Sequence, residues 1–237
     1  EPLAHWTPVH LHLGTEAVTA RIAVRRGKSI APGESRIVQI ILDRAIGCLH
    51  GDRSILRDQS ATRHTGGGTV VDPFAPAERR NSSARQKTVA ALAAASPEQA
   101  LRKLSAQAGD GIDLAAFEAA FNLDEASAGE LYRKLEIAVF GRGERIGIPA
   151  SRREELANAM VAEVTRLHRE DPKSLGLEIP SLAQRLHVRL PESVLGQIVR
   201  ELAQGGKVEI AGTRVRRPGH DATSNPEDER LWQRILP

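Results

Sequence analysis

Three arginines, Arg53, Arg57 and Arg63, stand close in sequence to three consecutive glycines, Gly66, Gly67 and Gly68, in the stretch Gly51 to Pro73, GDRSILRDQSATRHTGGGTVVDP. Guanidinium forks and glycine-exposed backbone N–H groups both donate to phosphate oxygens, so the chemistry on offer is the holding of a polyanion. Short strands must carry these groups. Arg53, Ile55 and Arg57 alternate with Ser54, Leu56 and Asp58, the two-residue period of a strand with one face in a core and one in water. Asp58 to Thr62 is rich in turn formers. Gly66 to Gly68 is read as a glycine turn that another backbone can approach closely, with a second strand through Thr69, Val70 and Val71.

Catalytic chemistry is harder to find. No G-x-x-x-x-G-K-[ST] phosphate loop occurs, and Gly66 to Gly68 cannot replace one, because neither a helix nor a lysine follows. No Ser/His/Asp, Cys/His or metal-ligand spacing stands out, so no catalytic residue and no metal site is assigned. His10 and His12 share a strand face, yet no carboxylate or Cys stands at ligand spacing beside them. The chain is read as a binding protein and not an enzyme.

Composition narrows the setting. Among 237 residues the net charge is +3, and aromatics make up only 3%, so the cores must be built mostly from Leu, Ile, Val and Ala. Residues 1–76 hold nine Lys and Arg against seven Asp and Glu, and the remainder 24 against 23. Nucleic-acid binding must therefore come from local patches and not from a global field. Cys48, the only cysteine, permits no internal disulfide and suits a reducing cytoplasm; between Ile46 and Leu49 it is read as a small core residue. No apolar run approaches the roughly 20 residues of a membrane span, so a cytoplasmic protein without membrane contact, and a monomer, is expected. The first residue is not Met and the last helical pattern stops midway, so the chain reads as a piece of a longer one.

Taken in order, Val9, Leu11 and Leu13, then Val18, Ala20, Ile22 and Val24, then Ile37 to Leu42, give evenly spaced strands separated by Arg25-Arg26-Gly27-Lys28 and Ala31-Pro32-Gly33. With the 53–71 pair they make an all-β barrel or sandwich over residues 1–76. A polar, Pro-bearing linker follows at 77–83. Helical periods then begin: Ser83 to Ala95, a helix opened by Ser96-Pro97, one after Asp113 with Leu114, Phe117 and Phe121, and one opened by Asp124. Strands Ile137 to Val139 and Ile146 to Ile148 flank Gly141-Arg142-Gly143, completing a winged-helix module at 84–149. A second module, at 150–219, starts with a long helix whose Ser151 and Glu154 have capping-box spacing. Two shorter helices, Ile179 to Leu186 and Pro191 to Ala203, follow, then a wing from Lys207 to Arg216. Residues 220–237, with Leu231, Trp232, Ile235 and Leu236 apolar, read as the start of a third, truncated unit.

The words of the barrel resemble the third domain of the selenocysteine-specific elongation factor family, a relative of elongation factor Tu. The likeness lies in Gly51-Asp52-Arg53, Leu56-Arg57-Asp58-Gln59-Ser60-Ala61, Arg63 with Gly66-Gly67-Gly68, and Asp72-Pro73, and upstream in His5-Trp6-Thr7-Pro8-Val9-His10, Leu13-Gly14 and Ala31-Pro32-Gly33-Glu34. His64-Thr65 stands where the family has Thr-Ile, and Ser54 where it has Phe. The resemblance implies a β-barrel followed by tandem, mainly α winged helices. It implies delivery of selenocysteyl-tRNA to the ribosome at recoded UGA codons. It also implies tRNA contact at Arg57, Arg63, Thr65, Gly66, Gly67 and Gly68, and an arm leading to modules that hold the selenoprotein mRNA hairpin. GTP and magnesium would belong to a GTPase domain outside this chain, which itself takes no cofactor.

Two points stay open on the residues alone. Arg57, next to Asp58, is equally placed for a surface ion pair and for a phosphate. On the second module Lys207, Arg214, Arg216 and Arg217 offer wing contacts to nucleic acid, yet the helix from Pro191 carries one basic residue, Arg200, beside Glu192 and Glu201, which suits a spacer better. The rival reading is a winged-helix DNA-binding transcription regulator; it leaves the 51–73 stretch without a purpose.

Overall fold

A computed structural model describes residues 2–24, 27–76, 82–141, 143–220 and 222. The basic turn at Arg25-Arg26, most of the expected linker, Arg142 and the expected third-unit helix around Trp232 lie outside the described residues. The chain forms two compact units, residues 1–107 with 114–131, and 108–113 with 132–237, a division that cuts across the stretch 84–149.

In the first unit the strands are β1 (Leu3–Ala4), β2 (Thr7–Leu13), β3 (Glu16–Val24), β4 (Ser29–Ile30), β5 (Val38–Leu42), β6 (Arg53–Arg57) and β7 (His64–Thr69). Five of them form one antiparallel sheet in the order β5-β3-β2-β6-β7, and β1 pairs with β4. Alternation does what period two requires: Val9, Leu11, Val18, Ala20, Ile22, Val24 and Leu56 all point to one buried cluster. At fractional exposures of 7% or less, these side chains supply the hydrophobic drive that holds the sheet. β5 and β7 are the two edges of the sheet. Between them opens a cavity of about 340 Å³, lined among others by Val38, Ile40, Ser54, Leu56, Gly67 and Val71. Cys48 is only half-buried there, not a core residue as expected. Burial first, then the nearby Asp52 and Asp72 charges, pushes its thiol pKa up, so it is a poor nucleophile.

Helices α1 (Ser83–Leu92), α2 (Pro97–Ser105) and α3 (Leu114–Phe121) complete this unit, and α4 (Glu125–Lys134) carries the chain from one unit into the next. Ser82 and Ser96 cap α1 and α2 by accepting from the N–H groups of Arg85 and Gln99, and Asp124 accepts from Ser127 N–H at the head of α4. His50 fastens the helices to the sheet's loop: its Nε2 donates to Leu92 O at 2.8 Å, its backbone N–H to Ala120 O at 2.7 Å, and its ring stacks on Phe121 at 4.2 Å. A largely buried ion pair between Arg85 and Asp72 adds a second fastening.

The second unit holds two small antiparallel sheets. β8 (Ile112–Asp113), β9 (Ile137–Phe140) and β10 (Ile146–Pro149) run in the order β8-β10-β9; β11 (Leu177–Glu178), β12 (Glu209–Ala211) and β13 (Arg214–Arg216) run β11-β13-β12. Between the two sheets in sequence lies α5 (Ala150–Glu170); α6 (Ile179–Arg185) and α7 (Glu192–Gln204) follow β11. The order α5-β11-α6-α7-β12-β13 is that of a winged helix, and its centre is Leu156, Met160 and Val164 of α5 against Leu182, Leu195, Ile198 and Val215. β11, too short to read from periodicity, exists because Gly176 sits at φ +106 with Val215 O only 2.4 Å from where a Cβ would stand. The capping box expected at Ser151 and Glu154 does not form. α5 starts one residue earlier, straight out of β10 with Pro149 at the cap position, which has no side-chain acceptor, and Ala150 N–H is satisfied by Glu136 O at 2.9 Å.

Candidate nucleic-acid interface

The site grows from β6, a six-residue turn and β7. Along β6 the side chains of Arg53 and Ile55 are exposed while Ser54 and Leu56 are buried. Two strands of the same sheet flank β6: His10 and His12 of β2 lie opposite Arg57 and Ile55, and Gly68 and Gly67 of β7 opposite Ser54 and Ile55. The glycines are therefore inside a strand, not in a turn. None of the three has a positive φ. The reversal falls instead at Asp58 to Arg63, and β7 ends at Thr69, short of the expected Val70 and Val71. The reason is the hydrogen bonding of Asp58, which offers the chain a local turn before the glycines are reached.

Asp58 organises that turn from both ends. Its carboxylate accepts from the backbone N–H groups of Thr62 at 2.9 Å and Arg63 at 3.2 Å and from the Thr62 hydroxyl at 3.4 Å. Its backbone N–H donates to Arg63 O at 3.0 Å, and its carbonyl accepts from Ala61 N–H at 2.9 Å. Ala61 takes φ +56 to allow this. Donation by the Arg63 N–H, with help from Ser60 and Thr62, holds the Asp58 carboxyl below the usual carboxylate range. His10 Nε2 pairs with Gln59 O at 3.1 Å and pins the turn to β2. Arg57 Nη1 reaches Ala61 O at 3.5 Å, while the Asp58 carboxylate is occupied by the turn. Sequence reasoning took Asp58 only as a turn former; its place five residues before Arg63 is the signal that would have singled it out.

Among the expected contact residues, Arg63, Thr65, Gly66, Gly67 and Gly68 are all exposed along the turn and β7, and Arg57 is half-buried beneath the turn. Thr65 spends its hydroxyl on Leu56 O at 3.0 Å, at the point where the strand register shifts. A Cβ at Gly66 would meet nothing within 4 Å, one at Gly68 would lie 3.9 Å from Ser54 Oγ, and one at Gly67 would lie 3.0 Å from Ser54 O. Only Gly67, which shares the outer face with Ile55, is thus required by the partner strand; Gly66 and Gly68 lie on the face of Leu56 and Ser54. Ser54, standing where the resembling family has Phe, satisfies its buried hydroxyl by donating to Gly68 O at 3.3 Å. Residues 1–77 match the family model described as the β-barrel domain of the selenocysteine-specific elongation factor. The likeness spans the whole of the first sheet and its turn.

The remaining comparisons extend the likeness beyond the selenocysteine-factor barrel. A selenocysteine-specific elongation factor of Desulfomicrobium baculatum is 26% identical over 224 residues, covering 92% of this chain and 35% of its own length. The one of Escherichia coli K12 is 22% identical over 239 residues, covering the whole of this chain and 36% of its own length. A crystal structure of a bacterial selenocysteine-specific elongation factor superposes with a TM-score of 0.57 at 15% identity, over 97% of this chain and 35% of that one, which speaks for the fold. The chain spans about a third of the relatives it matches.

The wing residues are placed differently from the barrel set. Lys207 and Arg217 are exposed, but Arg214 lies 3.6 Å from the Glu178 carboxylate and Arg216 2.6 Å from that of Glu209. The outer face of α7 shows Glu192, Ser193, Gln197, Arg200, Glu201 and Gln204. Two carboxylates against one guanidinium leave this face net negative, which weakens any hold on phosphate. Among the described residues no group of three or more His, Cys, Asp or Glu could hold a metal ion, and no helix is long and apolar enough to cross a membrane.

Proposed function

We propose that this chain is the tRNA-holding and arm-forming part of a selenocysteine-specific elongation factor. In this reading the turn 58–63 and β7 hold the backbone of selenocysteyl-tRNA. Arg63 supplies a guanidinium fork, Arg57 supports the turn, and the three glycines leave the open edge of β7, with the Gly67 N–H, free for close approach. Residues 84–149 and 150–219 act as winged-helix spacers toward modules that hold the selenoprotein mRNA hairpin, and delivery takes place on the ribosome. Binding and hydrolysis of GTP, with magnesium, fall to a part of the protein outside this chain. The observation that carries the reading is the pairing of an exposed, rigidly turned Arg63 with a side-chain-free strand in a barrel of this family.

The alternative, a DNA-binding regulator using α7 and its wing, is disfavoured by the ion pairs of Arg214 and Arg216 and by the mixed charge of α7. The test is Arg63→Ala. A charge-assisted bond to phosphate contributes roughly 1.5 to 3 kcal/mol. Filter binding of selenocysteyl-tRNA should therefore weaken by about one to two orders of magnitude, with a shallower salt dependence. Unchanged affinity at low and moderate salt would refute the assignment.

A further inference from the structure

Trp6 is the strained residue of this fold that its core does not explain. It takes φ +70, a conformation that a bulky L-residue adopts only when its surroundings impose it. Trp6 is nevertheless 45% exposed, and among the described residues the one aromatic ring paired with its indole is His5, tilted at 5.9 Å. The backbone around it is held on both sides. Trp6 N–H donates to Ile22 O at 2.7 Å, His5 N–H to Lys28 O at 2.8 Å, the Thr7 hydroxyl to Ala4 O at 2.8 Å, and β1 pairs with β4 just before it. These bonds fix the backbone at Trp6 and leave nearly half of the residue open to solvent.

Register places that indole at the functional end of the sheet. β6 runs antiparallel to β2 with Arg57 opposite His10, so the chain beyond Arg57 heads toward Pro8, Thr7 and Trp6. Trp6 precedes His10 by four residues, roughly 13 Å of strand. Gln59 in the turn is bonded to His10, and exposed Arg21 stands opposite Pro8 on the other side. Trp6 therefore shares one end of the sheet with Arg63 and Arg21. An exposed, preorganised aromatic face beside phosphate-binding cations is the combination that receives an unstacked nucleobase, since every base has a π-face to offer.

We propose that Trp6 is a stacking platform for an unpaired nucleobase of the bound RNA, next to the phosphate held by Arg63. This deepens the tRNA reading above and rests on it for the identity of the ligand. The barrel then recognises a place where an unpaired nucleotide leaves a duplex, and not duplex backbone alone.

Two tryptophans occur in the chain, so Trp232→Phe leaves Trp6 as the single reporter. This chain is titrated with the selenocysteine tRNA and with a fully paired RNA duplex, following tryptophan emission and fluorescence anisotropy. The tRNA should quench Trp6 and the duplex should not. Trp6→Leu should weaken tRNA binding about tenfold, the order expected for one base–aromatic stack, with little effect on the duplex, and Trp6→Phe should retain most of the affinity. Trp6→Gly separates binding from backbone strain: glycine accepts φ +70 freely, so its urea midpoint should not lie below that of the Leu variant, while affinity falls as in the Leu variant. The platform is overturned if saturating tRNA leaves the emission unchanged, if the Leu and Gly variants bind tRNA like the parent, or if tRNA and duplex weaken equally. Arg63→Ala tells the two readings apart. Loss with Arg63→Ala but not with Trp6→Leu removes the platform and keeps the turn; loss with Trp6→Leu but not with Arg63→Ala keeps the platform and removes the turn. No binding of either RNA by the parent chain overturns both.

Discussion

Substituting alanine in turn at Gly66, Gly67 and Gly68 separates what the fold asks of these residues from what a ligand asks. An added Cβ at Gly66 has nothing within 4 Å, and at Gly68 it makes ordinary contact at 3.9 Å with Ser54 Oγ. None of the three has a positive φ, so no backbone strain enters. Glycine inside a strand is less stable than alanine by roughly 0.5 to 1 kcal/mol, and Gly66→Ala and Gly68→Ala should recover about that much. Gly67→Ala differs, because its Cβ would stand 3.0 Å from a backbone carbonyl of β6, which cannot move without disturbing the strand pair. Overpacking of this sort costs about 1 to 3 kcal/mol, so the net change should be a loss of about 1 kcal/mol. Binding should follow another order. In the antiparallel ladder Gly66 and Gly68 bond β6, so the N–H that points off the open edge is that of Gly67; a phosphate oxygen must come within roughly 3 Å of it, and a methyl group on either neighbour narrows that approach. Gly66→Ala and Gly68→Ala are therefore expected to be more stable than wild type yet to bind tRNA about tenfold less tightly or worse. Urea denaturation and fluorescence anisotropy with labelled selenocysteyl-tRNA read the two quantities independently. If Gly66→Ala and Gly68→Ala are more stable and bind tRNA with unaltered affinity, the bare strand serves the sheet alone and the assignment of β7 as a contact surface is wrong.

Three further outcomes are expected. His168, 5% exposed, stacks on His220 at 3.6 Å and its Nδ1 accepts from Arg217 N–H at 3.4 Å, a bond that needs neutral imidazole. Burial first, then His220, Arg217 and Arg216, lowers its pKa against a weaker opposing pull from Asp171. The unfolded chain, titrating near 6.5, takes up a proton that the folded one refuses, so this contribution is complete above about pH 6.5 and is lost as pH falls toward the lowered folded value. Urea midpoints of the second unit should drop between pH 7.5 and 5, and His168→Gln should flatten that dependence; a parent chain with no drop contradicts the buried neutral imidazole. Removing the Arg85 partner by Asp72→Ala leaves a guanidinium 15% exposed without its carboxylate, and calorimetry should show a loss of about 3 kcal/mol in the first unit. With two wing arginines in ion pairs, the selenoprotein mRNA hairpin should bind this chain weakly and without sequence preference in a filter assay at physiological salt; tight, sequence-dependent binding would end the spacer reading.

The strands of the barrel were legible because their reason is local: Val9, Leu11 and Leu13 or Val18, Ala20 and Ile22 alternate in sequence, and all of them are buried on one face. Ser96-Pro97 and Asp124 were legible as helix starts on the same ground, since a cap is decided by the two or three residues after it. The likeness to the selenocysteine-factor barrel, too, could be read from short words of sequence around Arg53 to Gly68. Tertiary structure decided whatever depends on a competition between local options or on residues far apart. Asp58 captured the reversal from the glycines because its carboxylate could reach two amides at once, leaving Gly66 to Gly68 to pair with β6 as a strand. Ala150 did without the capping box at Ser151 because a distant carbonyl, Glu136 O, came to its N–H. The strain at Trp6 is of the same kind. Nothing in His5-Trp6-Thr7 announces a positive φ; it follows from hydrogen bonds to Ile22 and Lys28, which sequence periodicity cannot place.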